Sequence, residues 1–322
     1  MGGENLSNYI LRRIGLAIVT FFGITVLVFM ISSMASGSPL ELLLSNQNIS
    51  PAEVERQRIK LGLDQPVYIQ YFSWLKNFLQ GNLGESYRTG QPVMKMIMDG
   101  LGPTLLLTLS AVIVACLISL PLGIQSARFQ NKGWDNSSSV FSFLATSTPS
   151  FFLALIFLYL FAVKLKWLPI GGMYDSGKPE TPTSLLRHLL MPAVVLGMQM
   201  VGSLIQYTRS SMLEVMREDY VRTARSKGLR ERVVIIKHVL RNSLIPVVTY
   251  LGMEIPLLIG GAVVTEQVFS WPGIGNLMIK SIDSRDYPVV MGITVLVAVA
   301  VLIFNILTDL IYGVLDPRIR YD

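Results

Sequence analysis

Few residues of this chain stand at spacings that do chemistry. His188 and His238 are its only histidines. Neither opens an H-E-x-x-H pattern, which would put two zinc ligands and a general base on one helix face, so a zinc protease is not supported. Cys116 is the only cysteine and has no partner within the chain. Gly172 to Lys178 spells G-x-x-x-x-G-K, the spacing of a phosphate-cradling loop. Pro179 stands where a Ser or Thr hydroxyl would meet Mg²⁺, and Pro179 with Pro182 obstructs the helix that must follow, so the match reads as chance. Two features remain. One is Glu254, a carboxylate inside an apolar stretch, which either lines a polar path or is a hydrogen-bonded structural acid. The other is a loop over 209–245 with nine basic residues: Arg209, Arg217, Arg222, Arg225, Lys227, Arg230, Arg232, Lys237 and Arg241. No convincing nucleophile and base set accompanies them, so an intramembrane enzyme is a weak rival.

The elements that hold these residues follow from composition. The chain has 322 residues, 51% of them hydrophobic and 15% charged, with a formal net charge of +6. A soluble domain carries about 25% charged residues to cover its surface. That cover is missing, and the expectation is an all-α membrane protein. Six stretches are long and apolar enough to cross about 30 Å of hydrocarbon: 14–34, 104–127, 138–163, 188–208, 246–266 and 289–313. The first follows Arg12 and Arg13, with Ser33 and Ala35 as a passable cleavage site. Its apolar run exceeds a signal-peptide core, so it reads as an uncleaved anchor. Met1 and Gly2 open like a myristoylation site, but Leu6 replaces the required hydroxyl residue. Positive charge is densest on the segments that lie inside if both termini are cytoplasmic, so the topology reads N-in and C-in. The expected organisation is a cytoplasmic 1–13, a first span at 14–34 and an external region at 35–103. A five-span core at 104–313 and a cytoplasmic 314–322 complete it. Within 35–103, Tyr68, Tyr71, Phe72, Leu75 and Phe78 recur at helical spacing, as a packed cap or as a docking surface for an external partner.

The basic loop has its own pattern. Tyr220, Val221 and Ala224 share one face of a short helix, with Arg222 and Arg225 opposite. Gly228 interrupts, where glycine supplies a left-handed turn that other residues adopt at a cost of about 1 kcal/mol or more. Val233, Ile236, Leu240 and Leu244 then define a second amphipathic helix that runs to Pro246. Three readings compete for this helix, turn and helix. DNA binding is awkward for a segment tethered between two spans. Contact with anionic lipid explains the charge but not the ordered Gly and Ala positions. A protruding helix that docks into a cytoplasmic protein explains both.

Arg222, Thr223, Ala224 and Gly228 give R-T-A-x-x-x-G, which resembles the EAA loop of binding-protein-dependent ABC importer permeases, with Arg in place of the usual Glu. The string from Asp219 to Gly228, D-Y-V-R-T-A-R-S-K-G, and that from His238 to Pro246 resemble the B-type permeases of the oligopeptide/dipeptide branch. Further matches are L-G-L-D-Q-P (Leu61 to Pro66), G-N-L-G-E-S (Gly81 to Ser86), G-G-A-V-V-T-E-Q-V-F-S-W-P-G-I-G (Gly260 to Gly275), R-D-Y-P-V-V (Arg285 to Val290) and L-D-P-R-I-R-Y (Leu315 to Tyr321). The resemblance spans nearly the whole chain.

That resemblance implies the type I ABC importer permease fold in a bacterial or archaeal cytoplasmic membrane. It implies no catalysis and no cofactor in this chain; ATP and Mg²⁺ would be bound by two cytoplasmic ATPase subunits. A homologous second permease, an external substrate-binding protein, membrane lipid and a peptide substrate would be its partners, and nucleic acid would not. Asp219, Tyr220, Arg222, Thr223, Ala224, Arg225, Lys227 and Gly228 would couple to the ATPase. His238, Arg241, Asn242 and Pro246 would support the loop, and Glu254 would line the substrate path. Nickel or glutathione importers of the same branch remain alternatives for substrate. A secondary transporter is a lower one, since Glu254 alone would have to serve as its coupling site.

Overall fold

A computed structural model describes residues 6–34, 55–56, 59 and 64–315. Leu61 to Leu63, most of 35–63 and the segment from Asp316 onward, which holds most of the L-D-P-R-I-R-Y string, lie outside the described residues. The described residues are mostly helical: α1 Leu6–Met34, α2 Val67–Leu79, α3 Val93–Arg128 and α4 Gly133–Ser147 come first. They are followed by α5 Ser150–Lys164 and α6 Pro182–Val215, then α7 Asp219–Ser226, α8 Glu231–Ser243 and α9 Ile245–Gly261. The last three are α10 Val263–Val268, α11 Ile274–Asp283 and α12 Tyr287–Leu315.

Four helices are individually long and apolar enough to cross a membrane, within α1, α3, α6 and α12. The number rises to six if two bent pairs each count as one span. The expected third span, 138–163, is one of these pairs: α4 and α5 meet at 101°. Thr148 and Pro149 cause the break, because Pro149 has no N–H to donate and drives Thr148 into an extended conformation (ψ 120°). Pro192, by contrast, lies inside α6 without ending it. The expected fifth span, 246–266, also differs, since α9 stops at Gly261 and α10 begins at Val263.

The chain forms two compact units. One comprises Met1–Pro103 with Gly273–Ile306 and the last two residues. Its core gathers Leu83, Val93, Ile97, Ile274, Val289 and Ile293. Asp286, almost fully buried, accepts hydrogen bonds from Ser86 Oγ at 2.5 Å and from the Tyr87 backbone N–H at 3.0 Å, tying the 81–92 loop to the turn before α12. Burial, reinforced by the neighbouring Asp286 charge, pushes the Tyr87 phenol above its ordinary range. The α2 helix packs on α1 through Tyr71, Trp74 and Phe78, with Phe29 to Tyr71 at 5.5 Å and Phe21 to Phe78 at 6.0 Å between ring centroids. Tyr68 and Phe72, expected on the same face, are exposed. The face is one step over, because Trp74 rather than Phe72 meets Phe29.

The second unit, Thr104–Pro272 with Leu307–Arg320, has a core of Leu107, Leu196, Met200, Leu204, Ile205 and Trp271. The α6 helix is its axis. Thr181 caps it by accepting from the Ser184 N–H, and Pro182 occupies the first turn, where its missing donor costs nothing. Gly202 permits close contact with α4, since a Cβ there would stand 2.5 Å from the Ser142 carbonyl oxygen. Ser142 Oγ donates to the Gly202 carbonyl at 2.6 Å across the same contact. Exposed Leu109, Ile113 and Leu117 on α3, and Val140, Phe143 and Leu144 on α4, form the apolar surface that lipid tolerates and water does not.

Candidate functional site

The basic loop is built on the C-terminal end of α6. Its apolar support is a small core of Ala127, Met212, Val221, Ala224, Val234, Ile235 and Val239. Helix α7 gives that core only Val221 and Ala224, three residues apart on one face. Every other residue from Arg217 to Arg230 is exposed. Ala224 is 5% exposed, so its small side chain sets how closely the helix sits on its support. Tyr220, expected on the buried face, is exposed, and its hydroxyl accepts a hydrogen bond from Asn242 Nδ2 at 2.8 Å. That bond joins the start of α7 to the end of α8.

Gly228 has φ +74°, the left-handed turn read from the sequence, and a Cβ there would meet no atom within 4 Å. The backbone conformation alone selects glycine. Arg225 spans the turn and makes two hydrogen bonds to Glu231, at 3.2 and 2.9 Å. Asp219 and Arg222 stand 3.8 Å apart on the outer face, and Thr223 Oγ1 donates back to the Asp219 carbonyl. Lys227 closes α7 and is exposed.

The face of α8 departs from expectation. Val233 and Ile236 are exposed, while Val234, Ile235 and Val239 are buried. The reason is helical pitch: Val234–Leu240 is π-helical, so residues five apart align, and Val234 and Val239 share the buried side. His238 is half-buried, Arg241 and Asn242 are exposed, and Pro246 lies in the first turn of α9. Between α8 and α9 the axis bends by 42°.

Two polar arrangements were not foreseen. Arg209 grips Asp135 at 2.6 and 2.8 Å, and Asp135 also accepts from Ser126 Oγ and from the Asn131 backbone N–H. Beside this pair, Arg209, Ser210, Leu213, Glu214, Arg217 and Glu218 line an open cleft of about 480 Å³. Glu266 is fully buried and accepts from Thr104 Oγ1 at 2.6 Å, so it is more interior than Glu254. Glu254 is half-buried and stands four residues beyond Tyr250 on the same face of α9. Tyr207 stacks beside Tyr250 with ring centroids 5.0 Å apart.

The G-x-x-x-x-G-K string forms a clasp before α6 rather than a phosphate cradle. His188 Nδ1 lies 3.0 and 3.1 Å from the carbonyl oxygens of Gly171 and Gly172, and its Nε2 lies 3.4 Å from Asp175. Carbonyl oxygens and a carboxylate repel phosphate. The His188 ring, with Lys178 and Arg187 nearby, holds the Asp175 carboxyl below the usual carboxylate range.

Comparison with known proteins extends these observations. The family described as binding-protein-dependent transport system inner membrane component matches residues 119–321, and its N-terminal counterpart matches 6–108. The oligopeptide transport system permease protein AppB of Bacillus subtilis (strain 168) is 43% identical over 317 residues, which is 98% of this chain and 100% of that one. The di/tripeptide transport system permease protein DppB of Pseudomonas aeruginosa (strain UCBPP-PA14) is 40% identical over 333 residues, covering 98% and 99%. Among solved structures, a methionine ABC transporter in inward-facing conformations aligns with a TM-score of 0.55 at 16% identity, over 69% of this chain and 97% of that one. That likeness is one of fold.

Proposed function

The chain belongs to the family of binding-protein-dependent transport system inner membrane components, and from that premise we propose that it is one membrane subunit of an ATP-driven importer of oligopeptides or dipeptides. The observation that carries the reading is the near end-to-end match to permeases named for oligopeptide and di/tripeptide transport. In this reading the chain crosses the cytoplasmic membrane six times, with both termini inside. It catalyses nothing. A second permease completes the path, an external binding protein delivers peptide, and two ATPase subunits bind ATP and Mg²⁺ below.

The geometry of α7 supports the coupling role. It is a two-turn helix held by Val221 and Ala224 and offers Asp219, Arg222, Thr223, Ser226 and Lys227 outward. An ATPase groove that moves this face moves a rigid unit, because the Arg225 to Glu231 bridge and the Tyr220 to Asn242 bond tie α7 to α8. The bend at Leu244 passes the motion to α9, where Glu254 lines the substrate path, and the cavity switches access. Purification of the complex with its native partners tests the assignment, by identifying what the co-purifying binding protein holds. The expected cargo is a short peptide; nickel or glutathione in its place would overturn the substrate.

A further inference from the structure

Between Met191 and Ser210 of α6, the strongly exposed side chains are Gln199, Gln206, Tyr207 and Ser210, while Leu196, Met200, Leu204 and Ile205 are buried. At 100° per residue these exposed positions and the half-buried Ser203 fall within about a quarter of the helix circumference. A polar stripe of this kind on a membrane-spanning helix cannot face lipid, where each unsatisfied polar group is costly, so it faces water or protein. Tyr250 and Glu254 of α9 join it: they stand four residues apart on one helix face, and the Tyr207 ring lies 5.0 Å from that of Tyr250 between centroids. Glu254 lies eight residues past Pro246, about 12 Å along the helix, at a depth where a carboxylate needs a cation or water. Among the described residues no lysine or arginine pairs with it.

We propose that Tyr207, Tyr250 and Glu254 form a subsite of the translocation wall for an ammonium group, supplied by the free amino terminus of the peptide in transit. The inference rests on the peptide reading above. A carboxylate one helical turn from Tyr250 supplies the countercharge, and two adjacent aromatic rings supply faces that attract a cation. Gln206, next to Tyr207, and Gln199, about two turns further along the same stripe, offer amide groups to the peptide backbone.

The test uses the complete complex in lipid nanodiscs, with Cys116→Ser as background and Gln206→Cys as reporter. A cationic thiosulfonate should modify the reporter about tenfold faster than an anionic one of similar size, as expected near one fixed negative charge in a cleft. Glu254→Gln should bring the ratio close to one. Millimolar trialanine should slow the cationic reaction, and N-acetyl-trialanine should not. Protection by an N-acetylated lysine peptide equal to that by trialanine would overturn the assignment to the amino terminus. A reporter that neither reagent reaches would mean that the second permease covers the stripe, and would overturn the subsite, as would a ratio unchanged by Glu254→Gln. Uptake of radiolabelled trialanine by the wild-type complex is the separate control for the peptide reading, whose failure leaves the charge-ratio result standing by itself.

Discussion

The Arg209 guanidinium holds the Asp135 carboxylate with two hydrogen bonds of 2.6 and 2.8 Å, across 74 residues of sequence. The Asp135 side chain is 4% exposed and that of Arg209 is 30% exposed, so the pair is largely withdrawn from water. Ser126 and the Asn131 N–H fill the remaining acceptor positions of Asp135. The pair therefore fixes the start of α4, the end of α3 and the C-terminal part of α6 at one point, six residues before the Val215 end of α6 that leads into α7. The coupling role proposed for α7 would require such an anchored base, since a helix docked on a yielding support would absorb the motion it is meant to transmit.

Breaking this pair from one side should be costly. Asp135→Ala leaves a half-buried cation without its countercharge, a change of about 3–5 kcal/mol in comparable buried pairs. The detergent-solubilised variant should unfold at a clearly lower temperature than wild type, and Asp135→Ala with Arg209→Met should recover part of the loss. A single variant as stable as wild type would show that the pair is decorative.

Much of this was legible before any coordinates. Arg222, Thr223, Ala224 and Gly228 marked a helix and a left-handed turn because glycine and a small apolar residue at those positions have local causes. Long-range partners were not legible. Nothing in the sequence around Asp135 names Arg209, and nothing around Glu266 names Thr104, since these pairs meet only when distant helices pack. The buried face of α8 was misread for a different reason. A 3.6-residue period was applied to Val233, Ile236, Leu240 and Leu244, whereas the π-helical pitch of Val234–Leu240 aligns Val234 with Val239. The α6 stripe of Gln199, Gln206, Tyr207 and Ser210 was present as a pattern, but polar residues in an apolar span draw attention only once burial shows which side they occupy.

The clasp of His188 and Asp175 predicts a pH dependence. Asp175 has its carboxyl lowered chiefly by the His188 hydrogen bond. A carboxylate with a depressed folded-state value adds stability that is fully present above the ordinary carboxylate range and is lost as pH falls through the lowered value. The stability difference between wild type and Asp175→Asn should therefore be constant near neutrality and vanish in acid below the ordinary carboxylate range. Thermal unfolding of both proteins across that interval measures it. A difference that persists below that range would overturn the assignment.

Topology is open to a direct check. Glu85 lies in the loop before α3, and Ser226 ends α7. In a Cys116→Ser background, an impermeant maleimide applied to intact cells should label Glu85→Cys and leave Ser226→Cys untouched until the membrane is opened. The opposite pattern would invert the orientation and move the basic loop away from any ATPase.

Gly228 separates coupling from folding. Its φ of +74° is a conformation that disfavours a β-branched residue by about 1–2 kcal/mol. The space around it is open, so Gly228→Val adds backbone strain without a steric clash. The chain should insert and be recovered in nearly normal amounts, because the strain is confined to an exposed turn where an added Cβ meets no atom within 4 Å. The relation of α7 to α8 should change, since the Arg225 to Glu231 bridge spans that turn. Peptide uptake should fall at least severalfold, and less ATPase subunit should co-purify. Gly228→Asn, which tolerates the left-handed region better, should retain more of both. Normal uptake by Gly228→Val would remove the turn from the coupling path, whatever its effect on stability.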